Sequence, residues 1–178
     1  GAGGGGSFGV QIARSFGAHV IALDIDDDRL ARSAEYGAHH TINVREQEPK
    51  AIRKAIRSYV KEHSLRDTCW KIYETSGASA GQTLAFSLLT FGAVLGVVGY
   101  TMDSVNLRLS NLMAFDASAQ GTWVCLQKNY PAVLDLVLSG KVKVKRFVTR
   151  MPMKEVNDAI SGLHDHTLSL RPILIPDF

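Results

Sequence analysis

The glycines at the start of the chain are suited to binding a diphosphate. Gly1, Gly3 and Gly6 fit the pattern G-x-G-x-x-G, with Gly4 and Gly5 between the last two. The first glycine allows a tight turn out of a strand, the second lets the backbone approach a phosphate, and the third lets the next helix pack closely. That helix would direct unpaired backbone N–H groups and the positive end of its dipole at the phosphates. Taken alone, the segment also fits an unstructured glycine-rich leader.

Asp24 is the residue whose chemistry complements this turn. It ends the apolar segment His19–Asp24 and follows Gly6 by 18 residues, close to the roughly 20 expected of an acid that binds a ribose 2′-hydroxyl. Its charge, with the acids at 26–28, disfavours a 2′-phosphate. The turn and the acid together predict a site for NAD rather than NADP. The alternative for Asp24 is a solvated surface acid.

The elements that must position these residues alternate between helix-like and strand-like patterns. Predicted helices cover 6–16, 26–36 (with Asp26 as N-cap), 49–63, 79–89, 129–139 and 154–163, and predicted strands cover 19–24, 41–44, 68–75, 93–99, 120–124, 147–148 and 172–175. This alternation predicts an α/β fold with a doubly wound parallel sheet, the Rossmann fold. We expect an NAD-binding domain at 1–145 whose first strand is missing from the chain. The tail, 146–178, is expected to return to an absent catalytic domain.

Composition indicates a folded soluble domain. Hydrophobic residues make up 46% and charged residues 21% of the 178 residues, and the net charge is +3. No apolar run reaches the roughly 18 residues of a membrane span, and the basic residues lack the interleaved aromatics of a nucleic-acid surface. We therefore expect neither a membrane nor a nucleic-acid partner. Cys69 and Cys125 are predicted to be buried free thiols, which favours the reducing cytoplasm.

No set of residues predicts catalysis or metal binding on this chain. His39 and His40 are adjacent and would face opposite sides of a strand. His164 and His166 lack further ligands at a suitable spacing. Ser76 has no nucleophile-elbow pattern around it. We therefore predict no catalytic residue and no metal ligand among these 178 residues.

A longer pattern carries a resemblance to a known family. Four segments resemble the zinc-type medium-chain alcohol dehydrogenase superfamily. They are GAGGGGSFGVQIARSFGAHVIALDIDDDRLARSAEYGAHHTINV, KIYETSG, GAVLGVVGYT and the tail MPMKEVNDAISGLHDHTLSLRPILIP. A narrower resemblance, to the 6-hydroxycyclohex-1-ene-1-carbonyl-CoA dehydrogenases, is carried by WKIYETSGASAGQTLAFSLLTFG, RLSNLMAFDASAQGTW and YPAVLDLVLSGKV.

The resemblance implies a set of residues that contact the cofactor. They are Gly1, Gly3, Gly4, Gly5 and Gly6 at the pyrophosphate, Asp24 and Arg29 at the ribose, Thr75, Val98, Tyr100, Thr122 and Trp123 along the strand ends, and Arg171 at the pyrophosphate. Three of these assignments have structural alternatives. Arg29 also fits an exposed helix charge, Trp123 a core or subunit-interface residue, and Arg171 a partner of Asp165.

The resemblance also implies an activity. Members of the narrower family oxidise a ring alcohol of a coenzyme A thioester with NAD as hydride acceptor, and their zinc is bound by residues that precede the glycine turn. Zinc is therefore expected only on an absent N-terminal catalytic domain. A homodimer or homotetramer is expected, paired near 120–124, and the basic residues at 141–146 could meet the phosphates of coenzyme A. The alternatives are another alcohol or polyol dehydrogenase, an NAD-sensing module without catalysis, and a methyltransferase.

Overall fold

The computed structural model describes residues 1–165 and 167–176 as seven α-helices and seven β-strands. The helices are α1 (Gly4–Ser15), α2 (Asp27–Glu35), α3 (Pro49–Glu62), α4 (Ser79–Ser87), α5 (Ser110–Ala114), α6 (Tyr130–Leu138) and α7 (Val156–His164). The strands are β1 (Ile21–Asp24), β2 (His40–Asn43), β3 (Lys71–Glu74), β4 (Val94–Val97), β5 (Ser118–Gly121), β6 (Val148–Pro152) and β7 (Arg171–Ile175). None of the described helices combines the length and apolar character needed to cross a membrane.

All strand pairs are parallel, as the sequence predicts, but they form separate sheets. One sheet has the order β1-β2, the second β3-β4-β5 and the third β6-β7. The doubly wound order places one more strand between the first two of these groups. Gly1 and Ala2 lie at that position, between the carboxyl ends of β1 and β3, because they bond Thr75 and Asp24. The predicted α/β architecture is confirmed.

Local sequence accounts for α2 and α3, two helices that pack against the first sheet. In α3 the apolar residues Ile52, Ile56 and Val60 recur every four positions, so they share one face and all three are buried. α2 begins after Asp26, whose side chain accepts the N–H of Arg29 at 3.0 Å, confirming the predicted N-cap. These features fix the helices against β1 and β2 and so fix Asp24.

The prediction that both cysteines are buried is wrong, because both are exposed. β3 begins at Lys71 instead of Thr68, and Cys69 lies in the preceding loop with a φ of 57°. β5 ends at Gly121 instead of Val124, and Val124 has a φ of 53°, which takes the chain out of extended conformation before Cys125. The apolar residues around each cysteine thus lie in loops and not in buried strands.

The segment after α6 packs onto α1. The side chain of Gln11, 3% exposed, accepts the N–H of Lys143 at 2.6 Å and donates to its carbonyl at 3.3 Å. The ring of Phe147 contacts those of Phe8 and Tyr36, with centroids 5.5 and 4.9 Å away. This joint leads the chain into β6, α7 and β7, and so brings β7 to the beginning of α1.

Four histidines, Tyr59 and Arg14 form a cluster where β1 and β2 begin, at the opposite end from Asp24. The rings of His19 and His39 stack at 4.0 Å, and Nε2 of His19 lies 2.9 Å from the Tyr59 hydroxyl. His40 and His63 each stack on Tyr59, and Arg14 bonds His39. His19 and His39 are exposed, but partial desolvation lowers the pKa of both, and their positively charged neighbours lower it further.

Acidification is therefore expected to destabilise the chain through this cluster. Above the ordinary histidine pKa of 6.5 both rings are neutral in either state. Below it the unfolded chain takes up protons first, so the free energy of unfolding falls until the folded-state pKa values are passed. Urea unfolding between pH 8 and pH 5 should show a shallower fall in a His19→Gln, His39→Gln double variant. His164→Gln, which lies outside the cluster, serves as control. An identical fall in the free energy of unfolding in double variant and wild type would contradict a role of the cluster in acid destabilisation.

Candidate functional site

The glycine turn closes against the carboxyl ends of β1 and β3. The carbonyl of Gly1 accepts the hydroxyl of Thr75 at 2.7 Å, and a Cβ placed on Gly6 would lie 1.8 Å from that carbonyl oxygen. No side chain fits at Gly6. By contrast, a Cβ on Gly5 would meet no atom within 4 Å. The turn is thus closed on the protein side and open on the outer side, where a ligand has room.

α1 begins inside this turn, with Gly3 as its N-cap. Because Gly3 has no side chain, it cannot cap the first N–H groups of the helix, and those groups have no intrahelical partner. Such a helix start attracts an anion through its N–H groups and its dipole. The open outer side of the turn therefore has the chemistry of a phosphate site.

Asp24 lies beside the turn, and its carboxylate accepts hydrogen bonds from backbone groups of the protein. Oδ2 accepts the N–H of Ala2 at 2.6 Å, and Oδ1 accepts the N–H groups of Ile25 and Asp26 at 2.8 and 3.1 Å. Each carboxylate oxygen can accept two hydrogen bonds, so Oδ2 retains capacity for one more donor. Asp24 is 7% exposed, which contradicts the alternative of a solvated acid.

Arg29 and Arg171 bring positive charge to the turn from distant parts of the chain. A Cβ on Gly3 would lie 3.7 Å from Nη1 of Arg29, and one on Gly4 would lie 3.5 Å from Nη2 of Arg171. Arg29 lies 3.9 Å from the Asp24 carboxylate, so it is more than an exposed helix charge. Within the described residues, Arg171 forms no ion pair with Asp165.

Asp26 contributes a second, well-ionised carboxylate near the turn. The backbone N–H of Arg29 is the main reason why the pKa of Asp26 is below its ordinary value, and the charge of Arg29 acts in the same direction. Asp26 therefore adds negative charge on the side of the turn where Asp24 lies.

The remaining predicted residues meet at the carboxyl ends of β4 and β5. Val98, Tyr100, Thr122 and Trp123 line one open cleft of about 300 Å³. The Tyr100 and Trp123 rings meet edge to face with centroids 6.4 Å apart. Trp123 is 79% exposed, so the alternative that it belongs to the core is wrong, while a subunit-interface role stays open.

Sequence reasoning missed two features of this site. The cofactor contact of Thr75 stays a prediction, and its hydroxyl has a structural role that the sequence did not suggest, because it donates to the carbonyl of Gly1. Glu74, one residue earlier, is 2% exposed and bonds the turn that follows β3. The signal available for Glu74 was its place at the end of an apolar strand, directly before a Thr-Ser-Gly turn.

Among the described residues, no group of three or more histidine, cysteine or acidic side chains is placed to hold a metal ion. His166, one of the histidines considered above, lies outside the described residues. The glycine turn has the arginine side chains of Arg29 and Arg171 near the beginning of α1 and the Asp24 carboxylate beside it, a set of groups that can bind an anion and accept hydrogen bonds from hydroxyl groups.

Two curated dehydrogenases are among the proteins similar to this chain. An alcohol dehydrogenase of Moraxella sp. (strain TAE123) is 27% identical over 175 residues, covering 98% of this chain and 48% of that protein. Sorbitol dehydrogenase of Rattus norvegicus is 28% identical over 151 residues, covering 83% of this chain and 40% of that protein. The chain thus spans about half the length of the curated relatives it matches.

Solved structures share the fold. The alcohol dehydrogenase of Aeropyrum pernix superposes with a TM-score of 0.85 at 25% identity, covering 99% of this chain and 48% of that one. An alcohol dehydrogenase of Thermotoga maritima gives a TM-score of 0.83 at 30% identity, again covering 99% and 48%. The model of the zinc-binding dehydrogenase family matches residues 4–139. The chain belongs to the zinc-binding dehydrogenase family.

Proposed function

We propose that this chain is the NAD-binding part of an alcohol-oxidising enzyme. The observation that carries the proposal is the glycine turn, which is closed at Gly6, open at Gly5 and flanked by the Asp24 carboxylate. The pyrophosphate would lie against the N–H groups at the beginning of α1, with Arg171 over it. Asp24 and Arg29 would bind the adenosine ribose. Val98, Tyr100, Thr122 and Trp123 would border the nicotinamide.

NAD is favoured over NADP on electrostatic grounds. A 2′-phosphate on the ribose would lie near Asp24 and close to Asp26, whose ionised form is stabilised. Like charges at such short range disfavour binding. Arg29 offers a guanidinium here, but it already lies within ion-pair distance of both acids.

NAD, when bound, supplies a hydride acceptor for the carbinol carbon of an alcohol. The chain itself contributes binding and orientation, because fixing the cofactor's remote end fixes the position of its reactive ring. Two relatives are alcohol dehydrogenases of about twice this length. We propose that zinc and the substrate alcohol are held by a separate catalytic domain, to which 146–178 returns.

For the substrate we propose a ring alcohol of a coenzyme A thioester, 6-hydroxycyclohex-1-ene-1-carbonyl-CoA, oxidised to the ketone. The support is the sequence resemblance in the segments around Glu74, Ala114 and Leu134. A simple alcohol or polyol is the second candidate, favoured by relatives named sorbitol dehydrogenase and D-xylulose reductase.

We further propose a homodimer or homotetramer that works in the cytoplasm. All four residues of β5 are exposed, and so are Trp123 and Val124 just beyond it. An open parallel edge of this kind is usually covered, and pairing with a second copy would cover it. The two exposed free thiols fit a reducing compartment.

The proposed function is tested by calorimetric titration of the chain with NAD and NADP, followed by a substrate panel on the full-length protein. We expect NAD to bind and NADP to bind more weakly. Among substrates we expect NAD reduction with the coenzyme A thioester and little with sorbitol or ethanol. NAD binding without reduction by any alcohol would favour an NAD-sensing module, and S-adenosylmethionine binding in place of NAD would contradict the proposal.

A further inference from the structure

Glu74 is a buried carboxylate to which the proposed function gives no role. It ends β3 and is only 2% exposed. Its Oε1 accepts the N–H of Ser76 at 2.7 Å and the Ser76 hydroxyl, and Oε2 accepts the N–H of Gly77 at 3.4 Å. A buried charge is costly unless it is hydrogen-bonded. Here every donor comes from the turn 75–77, so the carboxylate folds that turn back onto the end of β3.

The same residue joins this turn to the end of β4. The backbone carbonyl of Glu74 accepts the N–H groups of Val98 and Gly99 at 2.8 and 2.9 Å. A Cβ on Gly99 would lie 2.6 Å from Oε2 of Glu74, and one on Gly77 would lie 2.5 Å from the Tyr100 carbonyl oxygen. The packing around the carboxylate therefore leaves no room for even a methyl group.

On its other side the turn 75–77 holds the glycine turn. The Thr75 hydroxyl donates to the carbonyl of Gly1 at 2.7 Å, and the Ser76 Cβ lies 3.0 Å from where a Cβ on Gly1 would be. One carboxylate thus fixes a turn that contacts Gly1 on one side and Tyr100 on the other. These two contacts belong to the two ends of the proposed dinucleotide site.

We infer that Glu74 is a positioning residue that holds the pyrophosphate turn and the Val98–Tyr100 end at a fixed separation. The inference rests on the proposed function, because it needs a ligand that reaches both ends. A fixed separation lets the two halves of one dinucleotide bind together. A shift of about 1 Å between the two ends of the site weakens that advantage. The nicotinamide half depends most on the Glu74 side chain, because Oε2 packs against Gly99 and holds Gly77 against the backbone of Tyr100.

The test compares NADH with ADP-ribose, which has the same adenosine and pyrophosphate but no nicotinamide. The 178-residue chain and its Glu74→Ala variant are titrated with both. We expect the preference of the wild type for NADH over ADP-ribose to fall at least about fivefold in Glu74→Ala. Glu74→Gln keeps a carbonyl acceptor for Ser76 and is expected to recover part of the preference. A role in stability alone would lower both affinities equally.

Three further variants keep the inference falsifiable. Ser76→Ala removes one donor from an exposed position and should lower the NADH preference even if Glu74→Ala fails to fold. Asp24→Ala should weaken both ligands equally, and the exposed Glu62→Gln should change neither. An unchanged preference in Glu74→Ala and Ser76→Ala, with NADH still bound, overturns the positioning role but leaves the proposed function standing. A wild type that binds neither ligand overturns both, and one that binds them equally overturns the positioning role.

Discussion

Replacing Gly6 with alanine is expected to abolish NAD binding, with a loss of affinity of at least about 100-fold. The added Cβ would lie 1.8 Å from the Gly1 carbonyl oxygen and 2.9 Å from Oγ1 of Thr75, so the turn must open. Overpacking of this kind costs about 1–3 kcal/mol of stability. Titration with NAD and chemical unfolding measure the two effects separately.

Two glycines of the same helix provide controls for Gly6→Ala, Gly9 for NAD affinity and Gly5 for folding. A Cβ on Gly9 would meet nothing within 4 Å, and alanine there should raise stability by about 0.5–1 kcal/mol without changing NAD affinity. Gly5 is equally open, so Gly5→Ala should fold normally. A loss of NAD affinity in Gly5→Ala would report that the ligand lies against this residue. Normal NAD affinity in Gly6→Ala would contradict the closed turn.

Replacing Asp24 is expected to have the second-largest effect. Asp24→Ala removes the acceptor of the Ala2 N–H and the proposed acceptor of the ribose hydroxyls, so NAD affinity should fall about 10- to 100-fold. Asp24→Asn keeps one carbonyl acceptor and loses the charge. It should therefore bind NAD about tenfold more weakly and discriminate less against NADP.

The measurement is calorimetric titration of each Asp24 variant with NAD and with NADP. Asp28→Asn is the control, because Asp28 is an exposed acid of the neighbouring helix α2. Its NAD affinity should equal that of the wild type. Equal NAD affinity in wild type and Asp24→Asn would exclude Asp24 from the ribose site.

The features predicted from sequence are those with local causes. The Asp26 cap, the helix predicted at 49–63 and the Gly6 turn each depend on residues within one or two turns of chain. Parallel pairing followed from the alternation of elements. For these features, the spacing of residues along the chain is enough to predict the structure.

The features that were missed depend on distant contacts. Thr75 lies 74 residues from its partner Gly1, and the burial of Glu74 follows from packing against β4. The exposure of Cys69 follows from where β3 begins, which its register with β4 sets. Arg171 was placed at the pyrophosphate only through family resemblance, because its neighbour Gly4 lies at the other end of the sequence.

An NMR titration of the isotopically labelled chain with NAD tests most directly whether NAD binds at the glycine turn beside Asp24. We expect the largest amide shifts at Gly3 to Gly6 and around Asp24, with ADP-ribose reproducing these shifts but not those at Val98 to Tyr100. Shifts confined to other regions, or none at the glycine turn at saturating NAD, would contradict this expectation.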